Sequence, residues 1–237
     1  MAVKLEKLPN NVYLLTLTGD GEHRFTPSCI SEIVAALDEV EKDPQAAALV
    51  TTGEGRFYSN GLSLSLVNKT SRENLELLDT FHDLLKKMLT YPVPTVAAVS
   101  GHAVAGGCMF ALAHDYSVMR SDKGYMFLSE VDIGLSFTPG MLALISCKLP
   151  VRTYHKAVLS AHRYTGKTAE EAGMVHAARP DAHSTLQEAV KIATALGGRN
   201  YDRTVYQQIK LQMFKTEIER LEIRHAVPQG PPNLSKL

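Results

Sequence analysis

The chain predicts an α/β fold, a mostly parallel sheet with helical crossovers followed by a helical C-terminal region. Three observations predict it. Short apolar β-type runs alternate with amphipathic helical segments as far as Met119; glycine, proline and aspartate punctuate the joins; and from Thr138 onward the apolar spacing is mainly that of helices.

The elements follow in order. Val12, Leu14, Leu15 and Leu17 make a first strand over 12–18, which turns at Gly19-Asp20-Gly21. Thr26-Pro27 reads as the N-cap and first residue of a helix with Ile30, Ile33, Val34, Leu37 and Val40 on one face, stopped by Asp43-Pro44. A second buried strand spans Ala46 to Thr51, and a glycine-bearing loop runs from Gly53 to Ser65. Leu75, Leu78, Phe81, Leu85 and Met88 predict an amphipathic helix ending at Tyr91-Pro92. The run Thr95 to Val99 predicts a strand, Gly106-Gly107 opens a wholly apolar helix, and Tyr116 to Met119 returns as strand. Later, Ser184 with Gln187 fits a capping box and Gly197-Gly198 a helix stop. Tyr201 to Arg224 fits a long terminal helix with Val205, Ile209 and Met213 on one stripe.

Composition narrows the function classes. The 237 residues, 45% of them apolar, suffice for one substantial core. Lys plus Arg equals Asp plus Glu at 25 each, so the basic field that nucleic acid or anionic lipid needs is absent. Cys29, Cys108 and Cys147 are scattered among apolar neighbours, as reduced thiols are, and no Cys-x-x-Cys or His-Glu-x-x-His spacing points to a metal. The N-terminus lacks the apolar core of a secretory signal. The chain ends in Ser235-Lys236-Leu237, the tripeptide address read by the peroxisomal import receptor, after a Pro/Gly/Asn-rich stretch suited to staying accessible. A peroxisomal location is therefore expected.

The most informative stretch runs from Val93 to Asp115. Paired glycines at a helix start bare backbone N–H groups, and without a Cβ at Gly106 a carbonyl oxygen can approach its amide. Competing readings fail on spacing. There is no G-x-G-x-x-G, no Gly-Lys-Ser/Thr, and the uncharged run Pro94 to Ala113 is diluted by Gly, Ser, His and Pro against a membrane span. In the Gly53–Ser65 loop, Leu62 after Gly61 is the second candidate donor. Gly61-Leu62-Ser63-Leu64-Ser65 ends in Ser where a hydrolase elbow needs Gly, which argues against Ser63 as a nucleophile.

Three segments together resemble the enoyl-CoA hydratase/isomerase (crotonase) superfamily: Tyr58-Ser59-Asn60-Gly61-Leu62-Ser63, Ser100 to Gly107, and Glu130-Val131-Asp132-Ile133-Gly134-Leu135. The resemblance covers nearly the whole chain and implies a crotonase-like spiral of ββα units over 1–137. It also implies a helical region of the same fold over 138–226, used for trimer-based assembly into a homotrimer or hexamer, and leaves 227–237 as a flexible tail. It further implies an acyl-CoA thioester substrate, no separate cofactor, a carbonyl held between the amides of Leu62 and Gly106, and substrate contacts along Ser59, Asn60, Gly61 and Ser63, with Ser59 and Asn60 meeting the adenine end.

Within the family, hydratases use two glutamates. One corresponds to Met109 here, and the other to Glu130, with Gly134 four residues on. Dienoyl-CoA isomerases add an aspartate where this chain has Thr138. A single carboxylate in an apolar pocket suits a 1,3-proton shift, so the resemblance implies a Δ3,Δ2-enoyl-CoA isomerase of fatty-acid β-oxidation, similar to the plant peroxisomal enzymes, with Glu130, Leu62 and Gly106 catalytic. Ser63 departs from the aspartate common in the first loop. Two alternatives stay open, a hydratase and a non-catalytic acyl-CoA-binding member of the fold. His102 reads as a packed ring rather than a base, and His23 with Arg24 as possible contacts to coenzyme A phosphates.

Overall fold

One unit recurs along the chain: a strand of a main sheet, a short strand of a second sheet, then helix. In the computed structural model, which describes residues 2–67 and 72–223, the chain opens with β1 (Val3–Lys7), β2 (Val12–Leu17) and α1 (Pro27–Lys42). The unit then appears as β3 (Ala48–Gly53), β4 (Phe57–Ser59), α2 (Leu64–Val67) and α3 (Arg72–Leu89); as β5 (Thr95–Val99), β6 (His102–Val104) and α4 (Gly106–Leu112); and as β7 (Tyr116–Arg120), β8 (Met126–Phe127) and α5 (Pro139–Lys148). The rest is α6 (Val151–Ser160), α7 (Gly166–Glu171), β9 (Ala177–Arg179), α8 (Ala182–Gly197), α9 (Arg203–Met213) and α10 (Lys215–Leu221). The main sheet has the order β1-β2-β3-β5-β7-β9 and the second β4-β6-β8. Every pairing is parallel except that of β1 with β2. In the first turn a parallel bridge between Phe25 and Leu62 stands where the short strand would be.

Both faces of the main sheet are buried, which is why its strands read as nearly continuous apolar runs. Leu15, Leu17, Leu49, Ala97 and Val99 face the larger core with α1, α3 and α4. Their neighbours Leu14, Val50, Val96, Ala98 and Val118 face Ala189 and Ala193 of α8. Two alanines on that helix let its axis come close to the sheet. The Thr26 side chain accepts from Cys29 N–H and Asp43 closes α1 as expected; Ile30, Ile33, Leu37 and Val40 are buried, while Val34 is only partly so.

Several expectations need correction. The strand over Val12–Leu17 is the second, because Val3–Lys7 pairs with it across the amino-terminal edge. The loop Gly53–Ser65 contains β4 and runs into α2, and the stretch after Val99 contains β6. The cap of α8 is Asp181, whose carboxylate accepts from Ser184 N–H at 2.8 Å, so Ser184 is the third helical residue and not the cap. The C-terminal region is mainly helical, as expected, and its one described strand, β9, extends the main sheet beside β7. The single terminal helix is two, broken at Phe214, whose ring turns into the core under Lys148 Nζ. Val205, Ile209 and Met213 do form a stripe, and it is exposed. The end of that predicted helix at Arg224, the tail 227–237 and Ser235-Lys236-Leu237 lie outside the described residues. Among the described residues no helix is long and apolar enough to cross a membrane, and no cluster of His, Cys, Asp or Glu could hold a metal ion.

Candidate active site

Two backbone amides are brought to one place by close packing of two loops. The Gly61 carbonyl accepts from Phe25 N–H at 2.8 Å, and Ser63 N–H donates to the Phe25 carbonyl at 3.0 Å. A trans peptide directs an N–H opposite to the preceding carbonyl, so Leu62 N–H points away from Phe25. The amide lies close to the start of α4, for a Cβ built on Gly106 would be 3.3 Å from Leu62 N. Gly61 itself has φ +77°, and a Cβ there would sit 2.9 Å from Gly106 N and 2.8 Å from the Val104 carbonyl. Only glycine fits that contact. Gly107 is required just as strongly, since its Cβ would fall 2.2 Å from the Ser59 carbonyl. Ala105, at φ 50° and ψ −118°, turns the chain sharply into α4 and leaves Gly106 N–H as a helix-start donor without an internal acceptor. Leu62 and Gly106 border one cavity of about 190 Å³.

Glu130 lies in the wall of the same cavity. It begins a one-turn knot after β8, in which Leu135 N–H donates back to the Glu130 carbonyl at 2.9 Å across Gly134 at φ +69°. The spacing of glutamate and glycine in the sequence is thus the spacing of a left-handed helix stop. Glu130 is 8% exposed, and its Oε2 is enclosed with no hydrogen-bond partner among the described residues. Burial pushes its carboxyl up to about 7, a rise that a hydrogen bond from its own backbone N–H only partly offsets. Such a group binds and releases a proton near neutral pH. It is the only carboxylate among the described lining residues, which also include Met109 where a second acid would sit.

Other expected site residues fall on both sides of the cavity wall. Asn60 and Leu62 line it. Ser59 does not: it is fully buried, its hydroxyl donates to the His23 carbonyl at 2.7 Å and accepts from Gly61 N–H at 3.2 Å, so it clamps the loop from behind. Ser63 is not a lining residue; its hydroxyl is 3.0 Å from that of Ser65, and its N–H bonds the Phe25 carbonyl, which ties the loop to the segment before α1. His23 is buried on the Glu54 carbonyl and is not presented to a ligand. Arg24 lines the cavity mouth with its guanidinium tied to Glu22 and to the carbonyls of Asn60 and Leu62. The His102 ring packs between Phe57 and Tyr125, away from the cavity. Thr138 lines the cavity, caps α5 and bonds His82 Nε2 at 2.8 Å. Sequence reasoning missed Asn74, buried in the wall one helical turn before Leu78; no motif marks an asparagine near a helix start.

The spiral of ββα turns thus sets one largely buried carboxyl and the backbone amides of Leu62 and Gly106 on the wall of a single cavity. The model of the enoyl-CoA hydratase/isomerase family matches residues 8–231, and the chain belongs to that family. It is 34% identical over 211 residues to enoyl-CoA delta isomerase 3 of Arabidopsis thaliana, covering 86% of this chain and 89% of that one. To the peroxisomal enoyl-CoA delta isomerase 2 of the same plant it is 35% identical over 213 residues, again 86% and 89%. The crystal structure of human mitochondrial delta3-delta2-enoyl-CoA isomerase superposes with a TM-score of 0.86 at 18% identity, covering 93% of this chain and 86% of that one, a likeness of fold.

Proposed function

We propose that the protein is a Δ3,Δ2-enoyl-CoA isomerase. The thioester carbonyl oxygen of a 3-enoyl-CoA accepts from Leu62 N–H and Gly106 N–H, which acidifies the protons at C2. The Glu130 carboxylate takes one of them, negative charge spreads onto the carbonyl oxygen as the dienolate forms, and the protonated carboxyl returns the proton at C4. The product is the conjugated trans-2-enoyl-CoA. Coenzyme A enters as part of the substrate, and the reaction calls for no further cofactor.

The observation that carries this reading is Glu130 as the only carboxylate among the described lining residues, with Met109 in the place a second acid would fill. Without a second carboxylate to orient water, reprotonation prevails over hydration. The test is to incubate purified protein with 3-hexenoyl-CoA and follow absorbance of the conjugated thioester. Turnover lost in Glu130→Gln supports the reading, and an undiminished rate removes Glu130 from the chemistry. A product heavier by one water identifies a hydratase instead, and binding without turnover a non-catalytic relative.

The exposed stripe of Val205, Ile209 and Met213 supports assembly into a homotrimer or hexamer through the C-terminal region. The terminal Ser235-Lys236-Leu237 supports recognition by the peroxisomal import receptor and residence in the matrix. A tagged chain lacking these three residues should stay in the cytosol.

A further inference from the structure

Two residues of the cavity wall carry a buried polar side-chain atom with no hydrogen-bond partner among the described residues, Glu130 and Asn74. The proton shift uses the first and leaves the second unexplained. Asn74 is 8% exposed, and its Oδ1 is enclosed and unpartnered. It lines the cavity from the same face of α3 as Leu78, one turn on. An amide is a poor wall for a hydrocarbon chain. When plain methylenes cover it they bring neither donor nor acceptor, and the amide stays unpaired.

We propose that Asn74 is a specificity-determining residue that receives a hydroxyl group carried on the acyl chain beyond the reacting double bond. This rests on the isomerase reading above and names its substrate class, hydroxylated 3-enoyl thioesters. A hydroxyl both donates and accepts, so it pairs with Oδ1 or with Nδ2, whichever end of the amide a half-turn about the side chain presents to the cavity. Position along the chain follows from the helix. Phe81, whose ring edge would lie 3.2 Å from a Cβ on Gly106, marks the level of the Gly106 amide along α3. Asn74 precedes it by seven residues, about 10 Å along the axis at about 1.5 Å per residue. With carbon–carbon bonds of about 1.5 Å, an acyl chain needs at least about seven of them to cover that distance. The recognised group therefore lies well past the C2–C4 segment that exchanges protons, and recognition does not disturb the chemistry.

The test compares kcat/KM of the full-length enzyme for 3-decenoyl-CoA and for its analogues bearing one hydroxyl at each carbon from C6 to C10. At least one analogue should exceed the parent by about fivefold to about a hundredfold, mainly through KM, the range set by a buried amide left unpaired. Asn74→Leu should erase that preference and raise kcat/KM for the parent, a gain that loss of a merely structural contact does not produce. A wild-type enzyme that turns over the parent as fast as every analogue overturns the proposal, and so does a preference that survives in Asn74→Leu. The wild-type ratio decides the question even where the variant folds poorly. Failure of the wild type on parent and analogues alike strikes the isomerase reading, whereas turnover without preference strikes the role of Asn74 alone.

Discussion

Two ionisable groups of this molecule are almost equally buried and have opposite surroundings. Lys210 of α9 is 4% exposed and Glu130 is 8% exposed. Lys210 Nζ lies 2.7 Å from an Asp115 carboxylate oxygen and 3.0 Å from the Tyr91 carbonyl; Asp115 in turn accepts from Thr95 N–H at 2.9 Å and from the Tyr206 hydroxyl at 3.2 Å. Desolvation still lowers the Lys210 ammonium, and the nearby Asp115 charge only partly restores it. Glu130 has only its own backbone N–H on the carboxyl, and its Oε2 has no partner among the described residues. A satisfied pair holds its charges fixed and joins the C-terminal helices to the main sheet. An unsatisfied carboxyl is poised to gain or lose a proton, which is what the proposed chemistry needs.

The largest effect expected from this contrast is on turnover. Glu130→Gln keeps the shape of the side chain and removes its basicity, and isomerisation of 3-hexenoyl-CoA should fall by about three to four orders of magnitude, the upper range for loss of a general acid–base group. Thioester affinity measured by calorimetry should change little. In the wild type, kcat/KM should rise with pH through about 7, because the free carboxyl must be ionised to take the C2 proton. A profile that is flat from pH 5 to 8 would contradict that assignment.

The second effect is on folding, at the other site. Lys210→Met strands the Asp115 charge in the interior and should destabilise the protein by about 3–5 kcal/mol in urea unfolding. Adding Asp115→Asn keeps a side-chain carbonyl for Thr95 N–H and removes the charge. The double variant should recover most of the loss. No recovery would mean that the pair matters through its hydrogen bonds and not through its charge balance.

How much of this was legible in the sequence follows from the length of each signal. The cap at Thr26, the glycines before α4 and the interval from Glu130 to Gly134 are fixed by local backbone requirements, so a few residues suffice to read them. Strands of two or three residues such as β8, β4 and β6 are too short for a period of two to register, and they were not visible. The stripe of Val205, Ile209 and Met213 has the helical period of a buried face yet is exposed; periodicity gives the element and leaves its partner undecided. Asp181 took the cap expected at Ser184 because both are good capping residues three positions apart, and only tertiary packing chooses between them. Asn74 and the partners of Lys210 are brought together by the fold across long stretches of chain, and no local pattern announces them.

The smallest effect sharpens the comparison most, because it measures the cost of leaving Glu130 unpaired. Its folded pKa of about 7 stands above the 4.5 of an ordinary glutamate, so the native state binds this proton more tightly than the unfolded chain does. The sign is then fixed: with the proton on, below about 4.5, burial adds no charge penalty, and between about 4.5 and about 7 stability falls as pH rises, with the full penalty present above that window. At about 1.4 kcal/mol per pH unit of difference, the penalty is about 3–4 kcal/mol. Glu130→Gln carries no charge to desolvate. It should therefore be more stable than the wild type at pH 8 by up to about 3–4 kcal/mol, and the advantage should shrink toward zero near pH 4.5. An inactive variant that is also the more stable one above neutral pH is the signature of a group kept for its chemistry at the expense of the fold; equal stability at pH 8 would place the carboxylate in contact with water or a donor and remove the reason for its raised pKa.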